Sequence, residues 1–465
     1  MSQKNETTIL ALALLLTVGI VGGGFWWFSN NRVKIGNNII PNQEPSNNSS
    51  LQDRISFGEK SFTPGDISPV KKEGLQAIAA KSYDRAIANF TAALKLNRND
   101  PETLIFLNNA RIGFSKSYTI VASVPFGTDP NTSLEILRGI AQAQNQVNSS
   151  GGVKGVPLRV GIASDDDNPE IAKQIASGLV SNSEVLGVVG PNTSDSTLAA
   201  GTIYTSGQLV AISPTSTSVK ISNFSHYVFR TVPSDFMAAR TLANYMVRTL
   251  QKKNAVVFFN SQSNYSQSLK SEFVSSVSLE GGQVASEFDL SRADFSAAKS
   301  IEQATKQGAE VLMLAANTET LDKALQVIQI NQKRLTLLGG DDVYTAKTLE
   351  IGREQAVGMV LAVPWHIDSD PKSDFPQKSR QLWSADVSWR SALSYDATVA
   401  LISALERNPT RPGVQQALLS SDFSATGASG TIRFLASGDR NAPVQLVKIV
   451  PGSRSRTGYD FEPVR

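Results

Sequence analysis

Short apolar runs rich in β-branched residues recur through the last three quarters of the chain. They are Tyr118–Pro125, Pro157–Ser164, Val185–Gly190, Gln208–Pro214, Ala255–Asn260, Glu310–Ala316 and Leu335–Gly340. Their length and turn-rich flanks predict buried strands. Helical patterns are interspersed at Leu134–Asn148, Pro169–Asn182, Asp235–Leu250, Ser266–Leu279, Ser296–Gln307 and Thr320–Asn331. Alternation of this kind predicts a parallel α/β sheet. The segments just after the strands are built of small and polar residues: Asp165-Asp166-Asp167-Asn168, Asn192-Thr193-Ser194-Asp195-Ser196, Thr215-Ser216-Thr217-Ser218, Ser261-Gln262-Ser263-Asn264-Tyr265, Asn317-Thr318-Glu319 and Asp341-Asp342. In open α/β sheets ligands sit outside the carboxyl ends of the strands, which is where these loops fall. Helix capping accounts for one such residue per helix. The hydroxyl pairs beyond that number point to a surface that holds a small polar molecule.

Composition narrows the chemistry. The 465 residues include no Cys, so disulfides, thiolate catalysis, Cys-ligated zinc and a lipid anchor on an N-terminal cysteine are excluded. A formal charge of +3, with no basic block interleaved with aromatics, argues against nucleic acid. The two histidines, His226 and His366, are too few for a three-histidine metal site. No Gly-x-Ser-x-Gly elbow is present. Asp165-Asp166-Asp167 offers carboxylates of the kind that hold calcium or magnesium, but the family that this region resembles implies a strand-to-helix turn there instead. The expectation is a binding protein, not an enzyme, with no metal, cofactor or catalytic residue.

The N-terminal third has a different organisation. Thr8–Phe28 is almost continuously apolar, long enough to cross a bilayer, and ends in an aromatic Trp26-Trp27-Phe28 belt. It is read as an uncleaved single-pass anchor; the alternative is a signal peptide cleaved near Gly22 and Gly24. Residues 29–66, rich in Asn, Ser, Gln and Pro, read as a flexible linker. Residues 67–115 return to helical spacing, with Ala86, Phe90 and Ala93 on one face and Pro101 opening a further helix. Gly74, Ala86, Phe90 and Ala93 match the small and aromatic positions of a tetratricopeptide repeat, which this segment resembles; Val70 and Arg98 replace that repeat's Trp and Pro. The segment is expected to be dispensable for ligand affinity.

From Ser117 onward the order of motifs resembles the type I periplasmic solute-binding proteins, particularly the branched-chain amino-acid receptors of ABC transporters. The matching stretches include Leu137-Arg138-Gly139-Ile140, Asn148-Ser149-Ser150-Gly151-Gly152-Val153-Lys154-Gly155, Val188-Val189-Gly190-Pro191, Ile212-Ser213-Pro214-Thr215-Ser216-Thr217, Phe229-Arg230-Thr231-Val232-Pro233-Ser234-Asp235, Gly339-Gly340-Asp341, Ser394-Tyr395-Asp396-Ala397 and Gly430-Thr431-Ile432-Arg433-Phe434. The resemblance implies two α/β lobes joined by three crossovers, with ligand trapped between them. Lobe 1 would be 117–234 and 364–441, and lobe 2 would be 235–363 and 442–465. It places Ser194 and Thr217, with Thr215 on the same loop, on a ligand carboxylate. It places Tyr265 over the ligand and Asp341, where the family often has Glu, on an ammonium. Asn317 stands where the leucine-type receptors have an aromatic, which leans toward a small or polar ligand.

The resulting expectation is a receptor tethered at the extracytoplasmic face of the membrane, binding an amino acid or similar solute for an ABC permease or a signalling partner. The alternative is a protein-interaction regulator with a vestigial cleft, like the activators of peptidoglycan synthases that join tetratricopeptide-like helices to this fold.

Overall fold

The computed structural model describes residues 51–370 and 372–464. Thr8–Phe28 and the linker up to residue 50 lie outside them. Among the described residues no helix is long and apolar enough to cross a membrane.

The polar stretch from residue 51 to 66, expected as linker, is packed. A short strand, β1 (Ile55–Ser56), pairs antiparallel with Ile162 and Ala163. Leu51 covers Gly178 and Phe57 covers Gly161; a Cβ on either glycine would fall within 3 Å of the covering side chain. Two helices then form a hairpin, α1 (Pro69–Ala79) and α2 (Tyr83–Leu96), with the Phe90 ring so close to Gly74 that a Cβ there would lie 2.5 Å from it. A third helix, α3 (Pro101–Ile112), is apolar or buried on nearly every side. Buried Lys71 pairs with Asp100 and Glu102, each at 2.8 Å. The Glu102 carboxylate also accepts from the Phe62 N–H at 2.6 Å and the Thr63 hydroxyl at 2.9 Å.

Lobe 1 is built on a six-stranded sheet ordered β1-β3-β2-β4-β5-β6. Its elements are β2 (Tyr118–Val124), α4 (Pro130–Ser149), β3 (Leu158–Ser164), α5 (Pro169–Ser181), β4 (Val185–Val189), α6 (Ser194–Ser206), β5 (Ala211–Ser213) and β6 (Val228–Arg230). All but β1 run parallel. Asn109 of α3 bonds through every side-chain position, to β3, to α4 and to the chain just after β1. Its Nδ2 donates to the carbonyls of Val160 (2.7 Å) and Phe57 (2.9 Å), and its Oδ1 accepts from Gln144 Nε2 and the Val160 N–H. The helical segment is therefore part of lobe 1, not an appendage to it.

Lobe 2 comprises α7 (Asp235–Asn244), β7 (Asn254–Phe259), α8 (Asn264–Leu279), β8 (Gln283–Asp289), α9 (Ala297–Lys306), β9 (Val311–Ala315), α10 (Leu321–Asn331), β10 (Thr336–Gly339), α11 (Ala346–Ala356) and β11 (Val360–Val363). The chain then returns to lobe 1 through α12 (Asp374–Trp383), α13 (Trp389–Arg407), α14 (Arg411–Leu419) and the hairpin β12 (Ala425–Gly427) and β13 (Gly430–Ile432). Helix α13 lies against α4, where a Cβ on Gly139 would come 2.1 Å from the Ser391 carbonyl oxygen, so only glycine permits this approach. A third crossing leads to β14 (Gln445–Pro451) and β15 (Tyr459–Pro463). Strand β14 adds antiparallel to β11 and β15 antiparallel to β14, completing the seven-stranded sheet β15-β14-β11-β10-β9-β7-β8.

Candidate functional site

The loops at the carboxyl ends of both parallel sheets meet at one cavity of about 450 Å³. Many of the polar residues that suggested a binding surface prove to be caps. Asn168 accepts from the Glu170 and Ile171 N–H groups, Thr193 from Ser196, Ser263 from Ser266 and Ser296 from Lys299. Each satisfies a helix N–H that would otherwise lack a partner. Thr193 and Ser263 cap their helices and line the cavity as well.

Ser194 begins α6 and lines the cavity while 1% exposed. Its Oγ accepts from the Ser218 N–H at 3.2 Å, which leaves its own proton free to donate to a ligand. Thr215 also lines the cavity, but its hydroxyl proton is already committed to the Asn192 carbonyl at 2.7 Å. Thr217 is buried behind the wall, and its Oγ1 has no hydrogen-bond partner. On the other lobe Tyr265 lines the cavity and donates from Oη to Asp341 Oδ1 at 2.8 Å. Gly340 gives the ring its room, since a Cβ there would meet Oη at 2.4 Å. Asp341 is thus brought together with Tyr265 beneath the surface, while its neighbour Asp342 is the carboxylate on the wall.

The sequence reading did not single out Asp342, Asp167, Asn192, Asp195 or Glu319, all of which line the cavity. The signal was present in the acidic runs after β3 and β10. Asp166 and Asp167 both adopt left-handed backbone, with φ of 53° and 52°, which non-glycine residues seldom do. The three successive carboxylates point to different partners: Asp165 accepts from Ser123 Oγ, Asp166 pairs with Arg54 at 2.8 Å, and Asp167 accepts from Asn192 Nδ2.

Several contacts cross from lobe to lobe. Asp195 accepts from the Asn264 N–H at 3.1 Å and from its Nδ2 at 2.5 Å, placing a carboxylate at the N-terminus of α8. Ser268 accepts from the Val219 N–H at 3.0 Å. Arg390 of α13 pairs with Asp342 at 3.1 Å.

Carboxyl groups here are held protonated to unusually high pH. Burial pushes Asp235 up to about 7, against the opposing effect of neighbouring Ser268, Thr217 and Arg230. Burial raises Asp342 to about 7 despite Arg390, and raises Asp341 to about 6, with Asp235 adding to it. Neither carboxyl oxygen of Asp235 makes a hydrogen bond of ordinary geometry, although the two hydroxyls lie beside it. An acid whose pKa is higher folded than unfolded binds more protons in the native state. Its contribution to stability is therefore full below the unfolded value near 4 and is lost as pH rises through the folded value. The ligand-free protein is expected to unfold at lower denaturant concentration at about pH 7.5 than at about pH 5. A flat profile over that window would contradict the burial of these charges.

Two sheets joined by three chain crossings, with a polar cavity at their facing edges, define the class of two-lobed solute receptors. The sequence match agrees: residues 120–454 align with the periplasmic binding protein family, and the chain belongs to it. The matched span begins after α3, so it does not include the helical segment. The leucine-specific-binding protein of Salmonella typhimurium is 25% identical over 303 residues, 63% of this chain and 79% of that protein. An amino acid binding protein of Pseudomonas aeruginosa is 28% identical over 150 residues, 32% of this chain and 40% of that protein. Among solved structures, an ABC transporter substrate-binding protein from Desulfitobacterium hafniense in complex with Leu superposes with a TM-score of 0.64 at 21% identity, covering 75% of this chain and all of that one. A leucine binding protein from Thermotoga maritima gives 0.65 at 21% identity, covering 74% and 97%.

Proposed function

We propose that this chain is an extracytoplasmic receptor that traps an amino acid between its lobes and delivers it to an ABC importer, tethered to the membrane through Thr8–Phe28. The observation that carries this reading is the division of labour across the cavity. Lobe 1 offers the free hydroxyl donor of Ser194 on the wall, with Thr217 buried behind it, and no basic residue on the wall. Lobe 2 offers Tyr265 on the wall, with Asp341 hydrogen-bonded to it just beneath. Neutral donors suit a carboxylate and a buried acid suits an ammonium, so both ends of a zwitterion find partners. The names of the relatives support an amino acid as the ligand class.

Calorimetry of the full chain against the twenty amino acids, with amides and urea-like solutes alongside, tests the reading. Asp341→Asn is expected to cost roughly 2–5 kcal/mol of binding, because it leaves the ammonium without a counter-charge. Ser194→Ala is expected to cost about 1–3 kcal/mol, because further donors remain. Equal affinities for wild type and Asp341→Asn would remove the ammonium assignment. Binding of amides alone would remove the zwitterion, and silence across the panel from a folded protein would end the reading.

A further inference from the structure

The cavity wall carries five carboxylates, those of Asp166, Asp167, Asp195, Glu319 and Asp342, and no Lys, Arg or His. Two have ion-pair partners behind the wall, Asp166 with Arg54 and Asp342 with Arg390. Asp195 is occupied by the N–H and side-chain amide of Asn264. Glu319 is exposed at the rim, 3.4 Å from Asn260 Nδ2. Asp167 is different. Its carboxylate is held only by the Asn192 amide, at 3.1 and 3.2 Å, and the charges bearing on it, Asp165, Asp129 and Asp342, are all negative. Deeper in, Thr217 Oγ1 and both Asp235 oxygens are more than nine-tenths buried without partners, beside the Tyr265–Asp341 pair. The site as it stands has unmet acceptors and an excess of acidic groups, and burial with its acidic neighbours pushes the Asp167 carboxyl well above the usual carboxylate range.

A neutral zwitterion brings as much negative charge as positive and leaves that excess in place. An aliphatic side chain would also strip water from Asp167 and give nothing back. An acidic side chain would be repelled outright.

We propose that the ligand is a dibasic amino acid, whose side-chain cation pairs with Asp167 on lobe 1. This rests on the amino-acid reading above and deepens it. Asp341 takes the α-ammonium from one lobe, and Asp167 takes the second cation from the other. Each lobe thereby holds one positive group of the ligand, and the ligand's second cation favours the ionised form of Asp167, which its acidic neighbours Asp165, Asp129 and Asp342 oppose.

The test is calorimetry on the full chain with L-lysine, L-arginine and L-ornithine against L-norleucine, which is lysine without its side-chain amine. At least one dibasic amino acid is expected to bind about tenfold or more tighter than norleucine. In Asp167→Asn that preference should shrink about tenfold, read as the ratio of the two affinities. The amide can still accept from Asn192, so the variant should fold, and its melting curve checks this. Independently of any variant, raising salt should weaken lysine more than norleucine. Norleucine or leucine binding as tightly as lysine would overturn the proposal and keep the receptor reading. So would a preference that survives Asp167→Asn or is indifferent to salt. If no amino acid binds, both fall together.

Discussion

A chain that begins at Arg111 is expected not to yield a soluble folded body. Such a chain lacks β1 and α1–α3, and α3 is the helix whose residues from Pro101 to Ala110 are all buried. Removing it exposes the surfaces that Ile105, Phe106 and Leu107 cover. It also removes Asn109, so the Val160 N–H and carbonyl lose this side-chain partner and the Gln144 amide keeps only the Leu158 carbonyl. Apolar burial is worth about 1.5–3 kcal/mol per large side chain, and each unpaired buried polar group costs about 1–3 kcal/mol. Their sum is comparable to the whole stability of an ordinary domain. A chain beginning at Leu51 keeps all of these contacts and should be recovered folded. Soluble yield and circular dichroism of the two truncations decide the matter; a well-folded 111–465 chain would show that the helical segment is an ornament to lobe 1.

The second large effect is expected at the third crossing. Asp396 of α13 is fully buried and pairs with Arg440 at 2.6 Å. It also accepts from the Ala428 N–H and the Ser429 hydroxyl, while Arg440 donates to the Thr431 carbonyl. Burial raises the Asp396 pKa even with the guanidinium beside it. Asp396→Ala strands that guanidinium and should destabilise by about 3–5 kcal/mol. For a lobe of this size the melting temperature should fall by on the order of 10 °C. Replacing both partners by apolar residues of similar volume should recover much of the loss, because it is the lone charge that is costly. Thermal unfolding of the single and double variants measures this. A single variant that melts like wild type would mean that water reaches the pair.

The strands that were legible in the sequence are those sandwiched between helix layers, such as β2, β4 and β9, whose residues are apolar on both faces. Edge strand β8, Gln283–Asp289, alternates between exposed and half-buried positions, and its polar residues hid it. Strand β6 has only three residues, too few for a periodic signal. Helix α6 opens Ser194-Asp195-Ser196-Thr197, which reads as loop until its contacts with the sheet are known. The site divides in the same way. Ser194 and Tyr265 were visible because the motif around each fixes its place. The choice between Asp341 and Asp342 for the wall, or between Asp166 and Asp167, depends on backbone dihedrals that adjacent identical residues do not reveal. Thr215 lies on the cavity wall, and the use of its proton by the Asn192 carbonyl is a three-dimensional fact that the sequence does not carry.

The seam between β1 and β3 has a mechanical side. The described chain starts on lobe 1, with Leu51 seated on α5 and Arg54 held by Asp166 at the cavity's edge. On the tethered reading, a pull from upstream would reach lobe 1 first, at Leu51 and at the Arg54 pair with Asp166 of the cavity wall. Lobe 2 is joined to that half by the three crossings and by the contacts across the cleft, Asp195 with Asn264, Val219 with Ser268 and Arg390 with Asp342.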